Sequence, residues 1–166
     1  DASDGGGETA LLDTTDKNLK GIKFCPNEFK IPPLNWKTTK FLSLPLPPGI
    51  NIKLSLKKLE GTLNEKTGEI ILDFEARFTL HILSILRFPD LIIKSILNTR
   101  KVQTKFHRGI GQTIQKDGKT KIVGIAKIPR TTNFILNNLL NLPTEAIAEL
   151  KCEVERTYHP YQKLNK

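Results

Sequence analysis

The chain has 166 residues, 38% of them hydrophobic and few aromatic, which suits one domain with an aliphatic core of Ile, Leu and Val. No stretch reaches the roughly 20 apolar residues that span a bilayer, since Phe134 to Leu142 is broken by Asn137, Asn138 and Asn141. Two cysteines, Cys25 and Cys152, exclude a disulfide framework and are expected as free thiols, and the formal charge of +9 points to an anionic partner.

Residues 1–20 are acidic and Gly-rich and predict a disordered tail. The chain begins at Asp1 and contains no Met, which fits the mature end left after removal of a presequence, as in a processed organellar protein. Residues 21–48 are punctuated by prolines and predict irregular chain, with a short extended piece around Trp36 to Leu46 at a sheet edge. From Ile50 a period of two begins. Ile50, Ile52, Leu54 and Leu56 are apolar, Lys57 and Lys58 break the phase, and Leu59, Gly61 and Leu63 resume it one position out of step, as at a β-bulge.

Asn64 to Gly68 predicts a turn, and Ile70 to Ile82 is the cleanest strand, with apolar even positions and polar odd ones, Ile71 alone out of pattern. A corner at Pro89 leads to a strand over Leu91 to Leu97 and a less regular one over Lys101 to Ile114. Asp117-Gly118 then predicts a hairpin returning through Thr120 to Ile128. Thr132 or Asn133 can cap a short helix that runs to Leu142 and stops at Pro143. Ala148, Leu150, Cys152 and Val154 form the inner face of a last strand, before a polar tail at 158–166. The expected fold is mainly β: an antiparallel meander of about six strands in a β-domain at 49–157, as a curled sheet or small barrel with one short helix near the C-terminus.

The whole net charge lies in residues 91–130, where ten bases face the single acid Asp117; residues 1–90 and 131–166 are each balanced. A solvated lysine-rich surface would intersperse both signs, so this segment predicts a docking patch of Lys94, Arg100, Lys101, Lys105, Arg108, Lys119 and Lys121. An acidic protein surface in a large complex fits it. Anionic lipid at a membrane surface is a second partner, with the helix and Leu44 to Pro48 as apolar elements beside the charge. Nucleic acid fits least, because Phe106 is the only aromatic among the bases.

No constellation reads as chemistry. His81, His107 and His159 lack metal spacing, and Asp73 and Glu75 read as cross-strand partners of Lys53 and Lys57. Gly109-Ile-Gly111 lacks the Lys and following helix of a phosphate loop and reads as relief for a tight strand bend. Neither an enzymatic activity nor a cofactor is expected.

Three segments, Asp90 to Thr99, Lys121 to Ala126 and Asn133 to Leu150 with its Leu-Pro-Thr-Glu turn, resemble a group of uncharacterised conserved proteins of plastids and cyanobacteria. The resemblance covers about residues 85–155 and implies a chloroplast address, soluble or peripherally bound to the thylakoid membrane. It brings no functional residues. The expectation is a non-enzymatic accessory protein that docks on an acidic face of a photosynthetic assembly, a photosystem or its antenna. The alternative is a small β-barrel that carries a lipid or other apolar ligand.

Overall fold

The alternation over residues 50–82 folds into the longest ladder of the protein, in a computed structural model that describes residues 7–14, 18–28, 31, 34–35, 37, 40–41, 44–45, 47–83 and 85–155. Its strands in chain order are β1 (Thr9–Asp13), β2 (Leu19–Phe24), β3 (Leu34–Asn35), β4 (Lys40–Phe41), β5 (Leu44–Pro45), β6 (Ile50–Asn64) and β7 (Ile70–Ile82). They continue as β8 (Leu86–Arg87), β9 (Leu91–Asn98), β10 (Lys101–Gln103), β11 (Arg108–Ile110) and β12 (Lys119–Ile128). Helix α1 (Phe134–Leu139) precedes β13 (Thr144–Glu153). The main sheet runs β1-β2-β6-β7-β9-β12-β13, with β3 beside β6 and β8 beside β7. All pairings are antiparallel.

The sheet is curled and open, so the barrel alternative is not the one adopted. Ile22 on β2, Leu56 and Leu59 on β6, Ile70 and Leu72 on β7, Leu97 on β9 and Ile122 on β12 share one buried cluster across five successive strands of the inner face. The bulge lies where the phase break predicts it, between Leu56 and Lys58, and lets β6 keep its apolar side inward along its full length. A second cluster of Leu80, Phe88 and Leu136 closes one end.

Helix α1 is held by asparagines that interrupt its apolar run. Asn133 caps it by accepting from the Leu136 amide at 2.8 Å, and the Asn137 side chain ties down Thr131 through three hydrogen bonds. The helix stops at Leu139 rather than Leu142, because Asn141 turns left-handed at φ 51°.

Four other expectations are corrected. β1 and β2 place residues 9–13 and 19–24 in the main sheet, so the sheet begins well before residue 49 and neither segment is wholly tail or irregular chain. Residues 1–6 and 156–166, with the polar tail and His159, lie outside the described residues. Around the expected extended piece, β4 pairs with β5, while Trp36 and Leu46 lie outside the described residues. The Lys101 to Ile114 stretch is not one strand paired through the Asp117-Gly118 turn. It folds back on itself as the β10–β11 hairpin, and its backbone pairs with β12 at the isolated bridge Gln112–Lys121. The turn itself forms as predicted, with Gly118 at φ 81°. The last strand starts four residues early, at Thr144, because all ten of its residues pair with β12.

The end of the β7–β9 ladder depends on one hydroxyl. Buried Thr99 receives the Ile70 amide on Oγ1 at 3.1 Å, while its own amide donates to the Ile70 carbonyl. Thr99→Val keeps the shape and strands that buried amide, and is expected to cost about 1–3 kcal/mol, read as a lowered urea midpoint. An unchanged midpoint would mean that the amide finds water instead.

Candidate functional site

The strand pairings divide the sheet into two faces. On the outer face, Asp73, Glu75, Arg77, Thr79 and His81 of β7 stand beside Ile92, Lys94, Ile96 and Asn98 of β9. The Val123–Asn98 pairing sets Lys119, Lys121 and Val123 of β12 on the same side. The β10–β11 hairpin lies over this end of the face. A side chain built at buried Gly109 would touch Val102, Val123 and Ile147, so the hairpin's inner surface packs directly on β12 and β13. Gly111 likewise lies against the Thr99 backbone, which gives the two glycines a packing role.

The seven predicted docking residues separate into two groups. Four are neutralised within the fold: Lys94 pairs with Glu75 at 3.0 Å, Arg100 with Glu69 at 2.9 Å, Lys119 with Asp117 at 3.1 Å and Lys121 with Glu149 at 2.8 Å. The Arg100 guanidinium meets Glu69 with two nitrogens and holds its carboxyl below the usual carboxylate range. Lys119 does the same to Asp117.

Lys101, Lys105 and Arg108 are the other group. All three are exposed on the hairpin and have no carboxylate partner among the described residues. They surround two exposed apolar side chains, Phe106 at 73% and Ile110 at 56%. Lys101 is cross-strand from Ile110, Arg108 from Gln103, and the Lys105 ammonium lies 5.6 Å from the centre of the Phe106 ring. The tip is anchored: the Thr104 amide donates to the His107 carbonyl at 2.8 Å, the Thr104 hydroxyl to Glu145 at 2.6 Å, and His107 Nε2 lies 3.1 Å from the Glu145 carbonyl oxygen.

The carboxylates Asp73 and Glu75 are cross-strand ion pairs, with different partners from those expected. Asp73 meets Lys58 at 3.4 Å and Glu75 meets Lys94, because the bulge takes Lys57 out of register and sets Lys53 opposite Thr79. Both cysteines are unbridged. Cys25 is exposed, and Cys152 packs against the core, where burial pushes its thiol up. Among the described residues, no three of His, Cys, Asp and Glu are grouped to hold a metal ion, and no helix is long and apolar enough to cross a membrane.

These features define a mainly β protein built on one curled antiparallel sheet, with a cationic hairpin laid over its outer face. Comparison with protein-family models, with curated proteins and with solved structures finds no match.

Proposed function

We propose that this chain is a non-enzymatic docking protein that grips an acidic protein surface with the β10–β11 hairpin. One observation carries the reading: three unneutralised cations ring two exposed apolar side chains on an anchored two-stranded tip. Charges without a partner in the fold attract an acidic surface over roughly 10 Å at ordinary salt, and Phe106 and Ile110 offer apolar area to bury once it arrives. The four neutralised bases contribute less, since each already has a carboxylate beside it. The resemblance to plastid and cyanobacterial proteins supplies the setting, an acidic face of a photosynthetic membrane assembly reached from the soluble side.

The test is cosedimentation with isolated photosynthetic membrane particles across a salt series. The wild-type chain is expected to bind at about 0.1 M salt and to come off as salt rises. Reversing Lys101, Lys105 and Arg108 together to Glu is expected to abolish binding, whereas reversing Lys94, Lys119 and Lys121 weakens it far less. Phe106→Ala should weaken binding without changing its salt dependence. Equal binding by the hairpin triple variant overturns the reading, and equally tight binding to protein-free vesicles of the same lipids replaces it with anionic lipid.

A further inference from the structure

At the opposite end of the outer face from the hairpin, β6, β7 and β8 form a second cationic feature. An open depression of about 280 Å³ is lined by Lys53, Ser55, Arg77, Thr79, His81, Arg87 and Asp90. Its floor is made of cross-strand neighbours: Ser55 opposite Arg77, Lys53 opposite Thr79, and His81 opposite Arg87. All seven lining residues are polar or charged, so the depression suits a polar ligand. Its volume, just under the roughly 300 Å³ lower end of ordinary ligand sites, suits a small one.

The charges are arranged for an anion. Asp90 is shared between Arg77 at 3.5 Å and Arg87 at 3.4 Å and is itself fixed by the Thr79 hydroxyl at 2.7 Å. One carboxylate therefore orients two guanidinium forks and cancels only one of their charges. Lys53 has no carboxylate partner among the described residues. Three cations against one acid leave a surplus of two positive charges. On the neighbouring part of the same face Lys23, Lys58 and Lys94 meet Glu60, Asp73 and Glu75, while the bulged Lys57 is exposed without a carboxylate partner among the described residues.

We infer that this depression binds a phosphate monoester, free or as a lipid headgroup. A monoester carries about two negative charges near pH 7, the same size as the surplus, whereas a single carboxylate would leave one cation uncompensated. Guanidinium forks match phosphate oxygens two at a time, and Lys53 adds a point charge. Ser55 and His81 supply further polar groups on the floor. The site is independent of the hairpin and stands whether or not that reading holds.

Calorimetric titration of the full chain with inorganic phosphate and glycerol 3-phosphate at low salt tests it. Saturable binding is expected, with a Kd on the order of 1 mM or tighter. Arg77→Gln and Lys53→Gln should each weaken it about tenfold, with the fold checked by circular dichroism. Asp90→Asn is the discriminating variant. It removes the competing negative charge, and its amide oxygen can still accept from Thr79, so phosphate should bind more tightly; a purely structural ion-pair cluster would gain no affinity. The hairpin triple variant should bind phosphate like the wild type.

The two sources separate with vesicles of phosphatidylcholine doped with phosphatidic acid. Sedimentation that Arg77→Gln abolishes assigns the site to a lipid headgroup. Vesicle binding that is absent or unaffected by Arg77→Gln, with glycerol 3-phosphate still bound, assigns it to a soluble monoester. The inference is overturned if neither phosphate probe binds saturably, if Arg77→Gln and Lys53→Gln bind like the wild type, or if Asp90→Asn binds no better.

Discussion

Gly61→Ala is expected to destabilise the protein by about 3 kcal/mol or more, a large share of the roughly 5–15 kcal/mol that holds a domain folded. A Cβ at this position would lie 1.9 Å from the Ile71 carbonyl oxygen and 2.8 Å from the Leu72 Cα. Both are backbone atoms of the partner strand, so no rotamer change relieves the clash and β6 must separate from β7. That ladder is the longest in the sheet, and it carries the outer-face pairs as well as half of the core. Gly109→Ala is the natural comparison. The atoms it would meet are side-chain carbons of Ile147, Val102 and Val123 at 3.1–3.3 Å, which can yield by a few tenths of an ångström. Its cost should stay near 1 kcal/mol. Urea midpoints of the two variants decide the matter, and equal losses would show that β6 and β7 tolerate separation.

The second large effect is expected at Leu136, which has no exposed surface and packs with Leu80 and Phe88. Leu136→Ala should cost about 3–4 kcal/mol through lost burial and the cavity left behind. The loss should also be local. A six-residue helix has too few hydrogen bonds to persist by itself, so docking of Leu136 is what keeps α1 formed. Amide exchange in residues 134–142 should therefore accelerate much more than exchange in β7 or β9. Phe134→Ala, on the same helix but 75% exposed, should change stability by less than about 0.5 kcal/mol. Uniform acceleration across the sheet would mean that the plug and the sheet unfold as one unit.

Strong local signals in the chain became structure where they stood. The alternation over Ile70 to Ile82, the phase break at Lys57, the turn at Asp117-Gly118 and the cap at Asn133 each depend on neighbours a few residues away. Strands β1 and β2 carried no such signal. β2 reaches Leu63 and Asn64 of β6 across some forty residues, β1 joins the sheet through β2, and composition alone made β1 look like a tail. The same distance explains the candidate docking site. Counting charge over residues 91–130 left nine cations unanswered, yet Lys94, Arg100 and Lys121 find Glu75, Glu69 and Glu149 beyond that segment. The hairpin cations Lys101, Lys105 and Arg108 have no carboxylate partner among the described residues, and Glu145, the acid at the tip, is taken by the Thr104 hydroxyl. The phosphate depression was hidden for a related reason. Lys53, Arg77, Arg87 and Asp90 come from three strands and a loop, and only register and bulge bring them side by side.

An open sheet leaves its outermost strands able to recruit strands from other molecules, the first step toward insoluble fibrils. β13 is the longer of the two outermost strands, at ten residues. Glu145, Glu149, Lys151 and Glu153 occupy one of its faces at every second position or nearly so. A second copy laid in register would bring like charges together and strip water from each of them. β1 is only five residues long, and its short ladder offers an incoming strand little to hold. The curl that gathers the interior thus forgoes the protection of closure, and the carboxylates along β13 help to keep the protein from polymerising through its rim.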